Sequence, residues 1–152
     1  MKARRTVPVF RTVVFSLACL LLQAVSAYGQ QKRIIPGSQN LPLSNGIVVG
    51  NTLYIAGQEG EDENGKLKTG GIGPETQGAL ENLAKVVKAA GFDLSDVVSV
   101  TVYLADIGEF EAMNKVYRAF MPDPKPTRAT VQVVHLVNNA RIEISAIAVK
   151  QL

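Results

Sequence analysis

Cysteine and histidine are almost missing from this chain, and tryptophan is missing altogether: its 152 residues hold one Cys, one His and no Trp. A lone Cys19 cannot close a disulfide within the chain, and with a lone His135 it cannot assemble a Cys/His zinc site. No metal site is expected. Neither a Ser-His-Asp signature nor a dinucleotide-binding glycine fingerprint occurs. The run Gly70-Gly71-Ile72-Gly73 is followed by Pro74, not by the Lys-Ser/Thr that completes a phosphate loop. Long apolar runs are also lacking. The best of them, Val13 to Leu22, falls short of the roughly 20 residues that a membrane-spanning helix needs.

That short run has the flanks of a secretory signal peptide. Lys2, Arg4, Arg5 and Arg11 precede it, and small residues (Ala24, Ser26, Ala27, Gly29) follow it. The expectation is a leader over 1–29, cut after Ala27 or Gly29, and a domain over 30–152 that is periplasmic or secreted. Four of the sixteen basic residues and none of the thirteen acidic ones lie in 1–29, which leaves twelve against thirteen, a net −1, in the domain. The basic balance therefore belongs to the leader. It argues for neither nucleic acid nor membrane as a partner of the mature domain.

Past the leader, a polar stretch over 30–46 is broken by Pro36, Gly37, Pro42 and Gly46 and has room for one short edge strand. Ile47–Val49 and Thr52–Ala56 read as strands joined by a two-residue turn at Gly50-Asn51. Residues 57–73 read as a solvated loop. Pro74 opens a helix whose Leu80, Leu83, Val87 and Ala90 recur at helical spacing, and Gly91 stops it. Val97–Leu104 is dense in β-branched residues and reads as a strand. Asp106 caps a second helix striped with Phe110, Met113, Tyr117 and Phe120, and Pro122, Pro124 and Pro126 prevent its continuation. Arg128–His135 and Arg141–Val149 alternate as strands around a turn at 137–140. This order implies an α+β fold with both helices on one face of a sheet. The other face mixes polar and apolar residues, so it is expected to meet copies of itself in an oligomer, with the polar positions lining clefts.

Two residues carry the clearest chemistry. Arg128 follows a three-proline loop, and a guanidinium set there offers a fixed fork for a carboxylate; the plainer alternative is an exposed or ion-paired arginine. Glu143 stands inside the apolar strand Arg141-Ile142-Glu143-Ile144. It is either a carboxyl of raised pKa that handles a proton or a partner for Arg141.

Five segments in order carry a resemblance. They are Asn51-Thr52-Leu53-Tyr54-Ile55-Ala56-Gly57-Gln58, Gln77-Gly78-Ala79-Leu80-Glu81-Asn82-Leu83, Val100-Thr101-Val102-Tyr103-Leu104-Ala105-Asp106, Phe110-Glu111-Ala112-Met113-Asn114-Lys115-Val116-Tyr117 and Pro126-Thr127-Arg128-Ala129-Thr130-Val131. Together they are similar to the RidA/YjgF (L-PSP-like) family, from about Leu41 to the C-terminus. The resemblance implies a chorismate-mutase-like fold, a six-stranded mixed sheet with two helices on one face, assembled as a homotrimer with clefts between subunits. It implies hydrolysis of reactive enamines and imines, 2-imino acids among them, to 2-oxo acids and ammonia, with no cofactor. It makes Arg128 the carboxylate clamp and Glu143 the residue that orders or activates water, and places Asn114 and Gly57 at the cleft. Three further cleft positions depart from what many members carry: Leu43 for Tyr, Ala56 for Ser and Thr130 for Cys. Leu43 makes the pocket more apolar. A different role for the same fold, a small-carboxylate-binding or holdase-like trimer without catalysis, is the alternative expectation.

Overall fold

Short β-branched runs and two apolar-striped segments build one sheet and two helices. The structure, a computed structural model, describes residues 31–38 and 41–151, all within the unit Gln31–Leu152. The expected leader over 1–29, with Cys19, lies outside the described residues. No helix among the described residues is long and apolar enough to cross a membrane.

The strands are β1 (Lys32–Pro36), β2 (Ser44–Val49), β3 (Thr52–Glu59), β4 (Val97–Leu104), β5 (Thr127–Gln132) and β6 (Ile142–Val149). The helices are α1 (Ile72–Ala89) and α2 (Phe110–Phe120). The sheet order is β1-β2-β3-β6-β4-β5. Among the described strands only β4 and β5 pair in parallel, and α2 supplies the crossover that a parallel neighbour requires. The α+β fold with a six-stranded mixed sheet and two helices is thus observed, and β1 is the short edge strand that the 30–46 stretch left room for.

Alternation decides the faces. Ile142, Ile144, Ala146 and Ala148 are buried, as expected, while Glu143, Ser145 and Ile147 point to the opposite face. Leu53, Leu80, Leu83, Val100, Val102, Leu104 and Met113 complete a core between this face and the helices. The other face carries Tyr54, Thr101, Ser145 and Ile147 around a shallow hollow.

Several boundaries differ from the sequence reading: β2 starts at Ser44 rather than Ile47, and β6 at Ile142 rather than Arg141. β3 runs on to Glu59, because β6 continues to pair with Gln58 and Glu59 beyond a bulge after Ile55. The helix α1 starts at Ile72, two residues before Pro74. Gly70 (φ 108) and Gly71 (φ 90) turn the chain, and Pro74 then falls in the first turn, where its missing N–H has no partner to lose. β5 ends at Gln132 rather than His135, since its only neighbour, β4, ends at Leu104 opposite it. The end of α1 is as expected. Gly91 (φ 74) donates to Lys88 O at 2.9 Å and Phe92 N donates to Val87 O at 3.0 Å, the paired bonds of a Schellman motif.

Candidate active site

Arg128 lies on the edge strand β5, in register with Val100 of β4, so its side chain rises on the face that the helices cover. There α2 receives it. The guanidinium donates to Asn114 Oδ1 at 2.6 Å, and its carbon sits 4.5 Å from the Tyr117 ring centroid and 5.7 Å from that of Phe110. Asn114 and Tyr117 are three residues apart on α2 and so share a face. An aromatic platform and an amide at one edge restrain the fork, and among the described residues one of its five N–H groups is engaged by a hydrogen bond, which leaves four for a ligand. Burial pushes the Tyr117 hydroxyl pKa up, and the Arg128 charge pulls it partly back. Two buried oxygens beside this platform, Tyr117 Oη and Thr130 Oγ1, have no hydrogen-bond partner among the described residues.

Glu143 is elsewhere. It pairs in register with Tyr103, between the buried Val102 and Leu104 of β4, and therefore projects from the opposite face of the sheet. Its partner is not Arg141, which is engaged by Glu109 at 2.6 Å and, more distantly, by the buried Glu75. The Glu143 carboxylate instead lies over Gly57. A Cβ at residue 57 would stand 1.6 Å from Glu143 Oε1, so only glycine leaves the carboxylate its position.

The room around Glu143 comes from a mismatch in strand length. β2 pairs with β3 only as far as Gly46↔Ile55, so Ala56 to Glu59 have β6 on one side and no strand on the other. A cleft of about 480 Å³ opens in that notch, bordered by Leu43, Gly57, Glu59, Glu61, Asn138 and Glu143. Leu43 is half exposed at its rim. Ala56 precedes the glycine, and its carbonyl accepts from Gln58 Nε2 at 3.1 Å. The carboxyl pushed up in this cleft is Glu59, to about 7, by burial first and then by the charges of Glu61 and Glu143.

The structure therefore divides the expected site residues into two half-sites. Arg128, Asn114 and Thr130 form one under α2; Glu143, Gly57, Ala56 and Leu43 form the other at the notch. Three residues along β4 and the width of two strand spacings separate them, roughly 10 Å in each direction, and they face opposite ways. Sequence reasoning missed Tyr117 as the platform for Arg128, because a helix stripe reads as core until the sheet order puts an arginine beneath it. It also missed Glu59, which was assigned to a loop. Its signal was one of phase: it follows Gln58 on a strand that a bulge prolongs.

Residues 37–150 match the family described as Endoribonuclease L-PSP. The chain is 42% identical over 110 residues to a 2-iminobutanoate/2-iminopropanoate deaminase of Homo sapiens, covering 72% of this chain and 80% of that protein. It is 43% identical over 111 residues to a RutC family protein of Pyrococcus horikoshii, covering 72% and 88%. Among solved structures, RidA of an Antarctic Psychrobacter superposes with a TM-score of 0.71 at 35% identity, covering 80% of this chain and 98% of that one. TdcF of E. coli with bound serine superposes at 0.72 and 30% identity, covering 78% and 99%.

Proposed function

Since the chain belongs to the L-PSP, or RidA/YjgF, family, we propose that it is an imine deaminase that hydrolyses 2-imino acids to 2-oxo acids and ammonia. The observation that carries this reading is the Arg128 guanidinium, set over the Tyr117 ring and bonded to Asn114, with donors left over for a carboxylate. Bidentate Arg–carboxylate pairing gives both affinity and orientation. The hydrolysis is redox-neutral, and free imines hydrolyse in water unaided. The protein need supply only positioning and proton transfer, which requires no cofactor.

Arg128 and Glu143 of one copy cannot reach the same small substrate, because they lie on opposite faces. The active unit is therefore an assembly in which the notch of one copy meets the α2 edge of the next. A closed ring of three, a homotrimer, supplies three such composite sites from one repeated interface. The exposed Tyr54 and Val131, with Ile147, on the open sheet face are the apolar surface that such an assembly covers. Arg128 then holds the carboxylate of the 2-imino acid, and Glu143 of the neighbouring copy orders water at the imine carbon. Thr130 and Leu43 border the substrate from either side, and Leu43 favours an apolar substituent. We infer too that residues 1–29 are a cleaved leader and that the domain acts outside the cytoplasm. A mature N-terminus near Tyr28 or Gln30, read by mass spectrometry, is the outcome expected.

The activity test couples an amino-acid oxidase, which generates the imino acid, to semicarbazide trapping. The purified protein should divert the imine to 2-oxo acid and slow semicarbazone formation. Arg128→Ala should lose on the order of 100-fold or more in kcat/KM, and Arg128→Lys should not restore it, because a lysine lacks the planar fork. An Arg128→Ala protein as active as the parent refutes the clamp.

A further inference from the structure

The cleft beside β3 holds more negative charge than the clamp and a water-ordering carboxylate use. Glu59 and Glu143 are register partners across β3 and β6, so both side chains leave the sheet on one face, with Cβ atoms roughly 5 Å apart. Both line the cleft, with Glu61, Asp62 and, from α1, Lys85. The charge of Glu75, on α1, also bears on Glu59. Like charges directly opposite on neighbouring strands are destabilising, so this pair is favoured when one carboxyl keeps a proton.

The surroundings hold the pair in place. Asn82 of α1 donates to Glu59 O and to Glu61 O, each at 3.0 Å, which pins the end of β3. Asn138, at φ 57, donates to Glu61 Oε1 at 3.0 Å and bounds the cleft from the 137–139 turn. Gly57 leaves the Glu143 carboxylate its space. Two carboxyls side by side in one cleft, one of them pushed up by burial and by its charged neighbours, are a common arrangement of a general acid and a general base.

We propose that Glu59 and Glu143 work as one acid–base pair on one side of the imine bond, Glu143 as the first base and Glu59 as the first acid. This rests on the deaminase reading and adds to it the source of the proton for nitrogen. In the first step Glu143 takes a proton from water and the oxygen bonds to the imine carbon. The C=N π pair moves to nitrogen, which takes the Glu59 proton, giving a carbinolamine. In the second step Glu143 returns its proton to that nitrogen and Glu59 takes the hydroxyl proton. The C–N bond breaks, ammonia leaves and the carbonyl forms. Both carboxyls end as they began, and the sum is imine plus water to ketone plus ammonia. The raised Glu59 carboxyl, at about 7, is the protonation state that the first step needs.

The test uses the purified full chain with the imine of leucine, generated by an amino-acid oxidase. The parent's kcat should fall on the alkaline side through about pH 7. Glu59→Gln should lower kcat by roughly 100-fold, change KM little and abolish that limb, while Glu59→Asp keeps it. Glu59→Gln with the parent's kcat and alkaline limb overturns the proposal. A second arm needs no activity: carbon-13 NMR of the glutamate carboxyls in the parent and in Glu143→Gln. The Glu59 resonance should titrate near 7 in the parent and lower when Glu143 is neutral; titration indifferent to Glu143 overturns the pair. A parent with no effect on imine hydrolysis refutes the deaminase reading instead, and the titration still decides whether the two carboxyls are coupled.

Discussion

Gly57 shows how little a single position can be allowed to carry. Its absent side chain is the space that the Glu143 carboxylate occupies. Gly57→Ala should leave the fold and melting temperature close to the parent's, since the displaced group is the end of a flexible side chain. It should cost activity on the order of 100-fold, because moving a reacting group by about an ångström is enough to do so. Parent-like rates from a folded Gly57→Ala protein would show that Glu143 need not sit there. Glu59 makes a second prediction at this scale. Its pKa stands above the ordinary 4.5, so the folded protein holds this proton more tightly than the unfolded chain does. Its contribution to stability is therefore complete below about 4.5 and is lost as pH rises through about 7. Glu59→Gln has no proton to lose. Its melting temperature relative to the parent should be higher at pH 8 than at pH 5, by on the order of 4 °C. An equal difference at both pH values would count against the raised carboxyl.

The helix α1 is the element on which the sheet depends. It packs its Leu80, Leu83 and Val87 stripe on β3 and β6, and Leu83 is fully buried. Leu83→Ala should lower the unfolding free energy by about 2–5 kcal/mol, seen as an earlier urea midpoint at an unchanged slope. A loss under 1 kcal/mol would mean that the site collapses around the cavity. This helix was legible in the sequence because its signals are local: the apolar spacing, and the glycine that must turn at φ 74. The second helix was legible from its apolar stripe, but Asp106, expected to cap it, accepts from Gly108 N at 2.8 Å and caps the short turn Ile107–Glu109 ahead of it, so that the helix itself begins at Phe110. The end of β3 was not. Gly57 and the acidic run that begins at Glu59 look like a loop, and residues 57–59 are strand only because β6, more than eighty residues later, supplies the pairing.

At the scale of the molecule, Arg128 and Glu143 face apart, so the proposed site needs two copies of the chain. Mixing two inactive variants tests this directly. Arg128→Ala and Glu143→Gln, each inactive alone, should regain activity when co-refolded in equal amounts. About one site in four of a randomly mixed ring then joins an intact Arg128 to an intact Glu143. A mixture as inactive as its components would refute the composite site, as would full activity from a protein that sediments as a monomer.

Periodicity, turn chemistry and composition were enough to determine, from the sequence by itself, the two helices, most strand positions, the α+β class and the candidacy of Arg128 and Glu143. These depend on interactions within a few residues, or on which residue types can do which chemistry. Only the tertiary structure decided that Tyr117 and Asn114 hold Arg128, that Gly57 makes room for Glu143, that Glu59 faces it, and that Arg128 and the two carboxylates lie on opposite sides of the sheet. Those relations follow from strand order and register. They are set by which distant segments pair, and a one-residue change of phase at a bulge moves a side chain from one face to the other.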